Sequence, residues 1–223
     1  MGQLLLRLRL SLPLQRRRSM ARTAGTLKGF FAAALLWLLV ALTVWYPLRH
    51  WMVLPSAWLA GEVMSAAFPR WVSGVQLDGT TQVLLTRLRI WSPDNRLGEL
   101  APDVNGLVYA YGAPLLAALL LAARTRGWWW KLPAGLLALV PFQAWGICFT
   151  WLLQVAVVAG EQTRDQTRFG PWVTNLIAAG YQFGFLILPT LVPVLLWLAF
   201  DRRVLASAMI EGALAGAAGR PRS

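Results

Sequence analysis

Four long apolar blocks interrupt an otherwise mixed pattern along the chain. The first reads "GFFAAALLWLLVALTVWYPL", residues 29–48; the second, "GLVYAYGAPLLAALLLAA", covers 106–123. The third, "LPAGLLALVPFQAWGICFTWLLQVAVVA", covers 132–159, and the fourth covers 173–200 and includes "GYQFGFLILPTLVPVLLW". About 20 apolar residues at 1.5 Å each cross the hydrocarbon of a bilayer. The pattern therefore predicts an all-α integral membrane protein with four transmembrane helices. Pro47 is expected to help close the first of them.

Between the first two blocks, residues 49–105 change character. "LPSAWLAGEVMSAAF" spaces its apolar residues helically around Glu62 and reads as a separate interfacial helix. "WVSGVQLDGTTQVLLTRLRIW" is rich in Val and Thr, with two runs flanking Asp78-Gly79. Such runs around Asp-Gly predict a β-hairpin, here Val72–Leu77 against Thr81–Ile90. "SPDNRLGELAPD" has loop chemistry. The segment reads as a small extracytoplasmic α/β unit between helices one and two. "GEQTRDQTRFGP", from Gly160, reads as a polar loop.

Composition sharpens the class. The chain has 223 residues, 57% of them apolar, and mean hydropathy +0.54. The net charge of +12 raises the question of nucleic acid. Its distribution answers it. The basic segment 1–28 (Arg7 to Lys28), the connection 124–131 and the tail 201–223 hold 14 of the 21 basic residues but only Asp201 and Glu211 among the acids. The other face carries equal numbers of each sign. This is the positive-inside pattern, with both termini cytoplasmic and anionic membrane lipid as the partner of the basic face, so no nucleic acid is needed. The apolar start "LLLRLRLSLPL" is short and broken by arginines, which suits a surface amphipathic helix, and Met20 is an alternative start.

Few residues can carry chemistry. The four blocks contain no Asp, Glu, Lys, Arg or His in their interiors, where ion-coupled transporters place such groups. The lone cysteine, Cys148, has no base or cation beside it in sequence, so it reads as a small buried hydrophobe, with a thiol nucleophile as the alternative. One cysteine and one histidine, His50, cannot close a zinc site, and no cofactor motif is present. The polar positions inside the blocks are the better candidates. Gln143 follows Pro141; Gln182 lies between Tyr181 and Phe183; Pro189 and Pro193 follow. An amide in lipid must find a partner, and a proline frees a carbonyl one turn back. Gln182 and the prolines are thus expected to knit helices three and four together. Gly180 and Gly184 form a small-xxx-small pair that suits either internal packing or a docking face for a partner's helix. Tyr109, Tyr111, Gly112 and Pro114 mark an interfacial belt and a kink at the start of the second helix.

"YGAPLLAALLLA", "VPFQAWGICF" and "GYQFGFLILPTLVPVLLW" resemble the exosortase H-associated membrane proteins, over 108–197 and more loosely over 49–105. The resemblance implies a bacterial inner-membrane accessory protein in a protein-sorting system, with an exosortase or its transmembrane substrates as partners. It transfers no catalytic residue. The chain departs from the exosortase enzymes themselves, which use Cys, Arg and His in that order; here His50 precedes Cys148 and no arginine lies inside a span. The resemblance favours a non-enzymatic subunit, with a small transporter or channel component and a membrane enzyme using Cys148 as the alternatives.

Overall fold

The computed structural model describes residues 2–91 and 95–201, with side chains from residue 29 onward. The basic tail beyond Asp201 lies outside the described residues. Helix α1 is one continuous rod, Gly2–Ala67. Its apolar part, Gly29–Ala67, has 39 residues, about 58 Å at helical rise. The separate interfacial helix is therefore corrected: "LPSAWLAGEVMSAA" is the far half of α1. Pro47 and Pro55 do not end the helix because both rings lie on its exposed face. The opposite face carries Val53, Ala57, Ala60 and Met64, all buried. Packing of that stripe holds the helix together across the missing bonds.

Among the described residues five strands follow: β1 Val72–Asp78, β2 Thr81–Thr86, β3 Arg89–Trp91, β4 Leu97–Glu99 and β5 Asp103–Asn105. β1 and β2 are antiparallel, with Asp78 opposite Thr81, so Gly79 and Thr80 form the turn. Gly79 takes φ +62°, a conformation that costs a side-chain-bearing residue. The second run is shorter than Thr81–Ile90: the chain leaves the ladder after Thr86. β5 lies on the other edge of β2, making the order β1-β2-β5, and β3 pairs with β4 in a separate ribbon. The stretch "SPDNRLGELAPD" thus contains a strand, β4, beside loop. Its pairing partner Arg89–Trp91 is what makes Leu97–Glu99 extended, and no local signal predicts that.

Helices α2 (Leu107–Ala110) and α3 (Gly112–Ala122) replace the single helix expected over 106–123. The break falls at Tyr111. Helix α4 covers Trp128–Leu153 and ends in a π-helical turn, Gln154–Val158. The expected loop after it is instead helix α5, Gly160–Thr167. Helix α6 (Pro171–Gln182), a π-helical turn (Phe183–Ile187) and α7 (Leu188–Phe200) run on as one rod. Among the described residues, three rods are long and apolar enough to cross a membrane: Gly29–Ala67, Trp128–Val158 and Pro171–Phe200. The apolar stretch Leu107–Ala122 is shorter, about 24 Å for its 16 residues.

Two cores hold these elements. One joins α1, the three-stranded sheet and α4 through Met64, Leu84, Val104, Ile147 and Trp151. Trp151 is fully buried, and its indole N–H donates to the Gln82 carbonyl at 3.3 Å. The other core, Leu116, Leu120, Leu139, Leu188 and Val192, joins α3, α4 and α7. At the end near this second core, Phe30 stacks on Trp197, Lys131 donates to the Phe200 carbonyl at 2.9 Å, and Thr125 donates to Asp201. The sheets and α5 sit at the opposite end.

Three glutamines fasten the strands to the helices, each bonding both backbone groups of one strand residue. Gln154 grips Asp103, accepting from its N–H at 3.2 Å and donating to its carbonyl at 2.5 Å. Gln166 grips Arg89 in the same way, at 2.9 and 2.8 Å. Gln162 grips Trp91, at 2.6 and 3.5 Å. Gln162 and Gln166 are one helical turn apart on α5, while Arg89 and Trp91 share one edge of β3. The helix therefore closes an edge that would otherwise present free N–H and C=O groups.

Candidate functional site

Four of the residues singled out in the sequence meet between α2, α3, α4 and α7. Tyr109, Gly112, Gln143 and Pro189 line a narrow void of about 10 Å³ together with Leu139, Phe142 and Leu188. Each is held for a local reason. Pro193 has no N–H, so the Pro189 carbonyl loses its helical donor. Gly112 presses against that carbonyl: a Cβ at Gly112 would sit 3.0 Å from the oxygen. Only a residue without a side chain lets α3 approach α7 so closely. The Tyr109 ring lies directly on Gly146 of α4, and its hydroxyl shares a 2.5 Å hydrogen bond with the Thr150 hydroxyl, which itself donates to the Gly146 carbonyl.

Gly180 and Gly184 occupy a second seam, against α4. The Phe149 ring fills the space a Gly180 side chain would need, and the Trp145 indole donates to the Gly180 carbonyl at 3.2 Å. A Cβ at Gly184 would meet the Trp145 ring at 3.0 Å and the Gly146 backbone at 3.2 Å. The face is occupied by the chain's own aromatic pair, Trp145 stacked on Phe149.

The other residues lie apart. Gln182 is exposed and makes no hydrogen bond among the described residues, so it does not knit α4 to α6. Its neighbour Gly180 takes the packed face instead, and the π-helical turn begins directly after Gln182. That turn ends two residues before Pro189, whose missing N–H already interrupts the ladder. Tyr181 is half-buried and stacks on Phe185; Tyr111 is half-buried at the break between α2 and α3; Pro114 is buried in the first turn of α3.

Gln143 belongs to the seam but also borders a neighbouring cleft. It lines a cleft of about 190 Å³ with Trp51, Met52 and Pro55 of α1, Ala113 of α3 and Leu136, Leu137 and Val140 of α4. Cys148 is buried in the first core, its sulfur 3.7 Å from the Ala60 carbonyl. His50 is exposed beside Trp51. Among the described residues, no three His, Cys, Asp or Glu side chains gather at metal-binding range.

Sequence reasoning passed over Gln82, Gln162 and Gln166. Gln82 sits on the inner face of β2, fully buried, and its amide has no protein partner among the described residues. The signal for the α5 pair was a glutamine repeat four residues apart in a stretch read as loop.

Comparison with known proteins adds one decisive result. The family model for the exosortase H-associated membrane proteins matches residues 24–204, most of the chain. The chain belongs to that family. The matched region takes in all three long rods, the sheet unit, both glycine seams and the cleft. Association with an exosortase system is therefore the setting of this family member. Among curated proteins and among solved structures, nothing matches.

Proposed function

We propose that this family member is a non-enzymatic subunit of a bacterial inner-membrane protein-sorting system, and that it binds a membrane partner, an exosortase or that enzyme's transmembrane substrates. The observation that carries the non-enzymatic reading is the position of Cys148. The single thiol is walled into an apolar core and faces a backbone carbonyl rather than a base. A substrate reaching it would have to separate α1 from α4.

The reading includes four crossings, with α2 and α3 together as the short one. Its support is the antiparallel course of the rods. Phe30, Thr125, Lys131, Phe200 and Asp201 gather at one end of the bundle, which requires the chain to return through α3. That end carries Arg124, Arg126 and Lys131, so it is assigned to the cytoplasm, and the sheet unit to the periplasm.

The test is co-purification. The tagged chain is co-expressed with the exosortase of its own genome, extracted in mild detergent and captured. Retention of the exosortase by the parent and by Cys148→Ala is expected. Loss of sorting activity in a normally accumulated Cys148→Ala variant would restore the enzyme alternative. Failure of the parent to retain either the exosortase or its substrates would remove the partner-binding reading.

A further inference from the structure

The cleft around Gln143 lies in the apolar part of α4, between the Lys131 end of the bundle and Trp151, which is buried under the sheet unit. The cleft opens sideways between α1 and α4, and its rim residues Trp51 and Leu137 are 71% and 72% exposed. Its floor is Ala113, the small residue that follows the α2–α3 break. The walls are apolar except for Gln143, which is only 8% exposed and makes no hydrogen bond among the described residues. Two further polar groups accompany it. Pro55 and Pro141 carry no N–H, so the carbonyls of Trp51 and Leu137, both cleft residues, lack their usual helical donors.

A nearly enclosed amide in a membrane-crossing helix is costly unless something supplies hydrogen bonds, and the two under-bonded carbonyls add to that cost. Acyl chains supply none. A second copy of this chain is a poor fit, because a recessed amide cannot reach its own equivalent across a two-fold axis. A convex helix carrying a polar side chain at its middle can meet both requirements: the small floor admits its backbone and the amide bonds its side chain.

We infer that this cleft seats a transmembrane helix of a different protein, one that bears Gln, Asn, Ser or Thr near its midpoint, with Gln143 as the residue that reads it. This rests on the proposal above that the chain binds a membrane partner, and it specifies where and by what chemistry.

The experiment uses the full chain in bicelles and two synthetic probes, leucine-rich helices of about 20 residues with either Gln or Leu at the centre. Binding is read by energy transfer between labelled peptide and labelled protein. The Gln probe is expected to bind about 3- to 20-fold more tightly than the Leu probe, the range set by single hydrogen bonds in lipid. Gln143→Met, similar in volume, should abolish the preference, and Ala113→Phe should weaken both probes. In the parent, a photoreactive residue replacing Leu137 should cross-link the Gln probe, and one replacing Leu186, exposed outside the cleft, should not. Equal affinity of the parent for the two probes would overturn the inference, as would a preference that survives in folded Gln143→Met. Cross-linking from Leu137 only to another copy of the chain would also overturn it. If the parent retains its exosortase but shows no probe preference, the cleft assignment fails alone. If it shows the preference but retains neither exosortase nor substrates, the proposed function fails alone.

Discussion

Removing the glutamine grip on β3 should loosen that strand by an amount the geometry sets. Gln166 makes two hydrogen bonds to Arg89, and Gln162 makes two to Trp91. Buried bonds of this kind contribute about 1 kcal/mol each, but these are exposed, so water replaces part of what is lost. About 0.5 kcal/mol per bond is the appropriate figure, and Gln166→Ala should then lower the opening free energy at Arg89 by about 1 kcal/mol. The double change Gln162→Ala with Gln166→Ala should lower it by about 2 kcal/mol. Amide hydrogen exchange reads this directly. The Arg89 amide should exchange about fivefold faster in Gln166→Ala, and the Arg89 and Trp91 amides about 30-fold faster in the double variant, since about 1.4 kcal/mol is one factor of ten. The Val83 amide, in the middle strand of the other sheet, is the internal control and should not change. Unchanged exchange at Arg89 and Trp91 would show that the β3–β4 ribbon is held by something other than α5. Acceleration at Val83 of equal size would show that the whole sheet unit had loosened, which would equally refute a local role.

Four further expectations follow from single positions. Gln82→Met should stabilise the protein by about 1–3 kcal/mol in denaturant unfolding, because it removes a buried amide with no protein partner while keeping the volume; a loss of stability would contradict that. Gly180→Ala should destabilise the bundle by about 1–3 kcal/mol, since Phe149 must leave its place, whereas Gln182→Leu should be neutral in the same thermal assay; equal effects would refute the assignment of faces. Gly79→Val should cost about 1–2 kcal/mol by strain alone, because nothing crowds that site, and proteolysis near residues 78–80 should quicken; unchanged cleavage would count against the turn. A reporter fused after Arg203 should report cytoplasm and one inserted at Asn95 should report periplasm; the reverse would overturn the orientation, and both on one side would overturn the four crossings.

How much of this was legible in the chain differs from element to element. The membrane class was legible because lipid requires long apolar runs, and a run of 20 apolar residues has few other uses. The hairpin was legible because Gly79 answers a backbone requirement local to two residues. Its length was not, since β2 ends at Thr86, opposite Val72, where β1 ceases to offer partners. Pro47 misled for a related reason. A proline signals a lost bond wherever it stands, but whether the helix continues depends on what packs against its other face, here Val53, Ala57, Ala60 and Met64.

The site divides in the same way. The sequence by itself determined that Gln143, Gln182 and the glycines near them were costly or permissive positions in an apolar setting, because amide desolvation and missing side chains are properties of the residues. Only the tertiary structure decided which of them turn inward. Gln143 is nearly enclosed beside a cleft and Gln182 faces outward, although the two lie in similar aromatic surroundings in the chain. Gly180 and Gly184 meet the chain's own Trp145 and Phe149. The reason is rotational: each residue advances a helix by about 100°, so which face a residue presents depends on how the whole rod is turned against its neighbours, and packing rather than local sequence sets that.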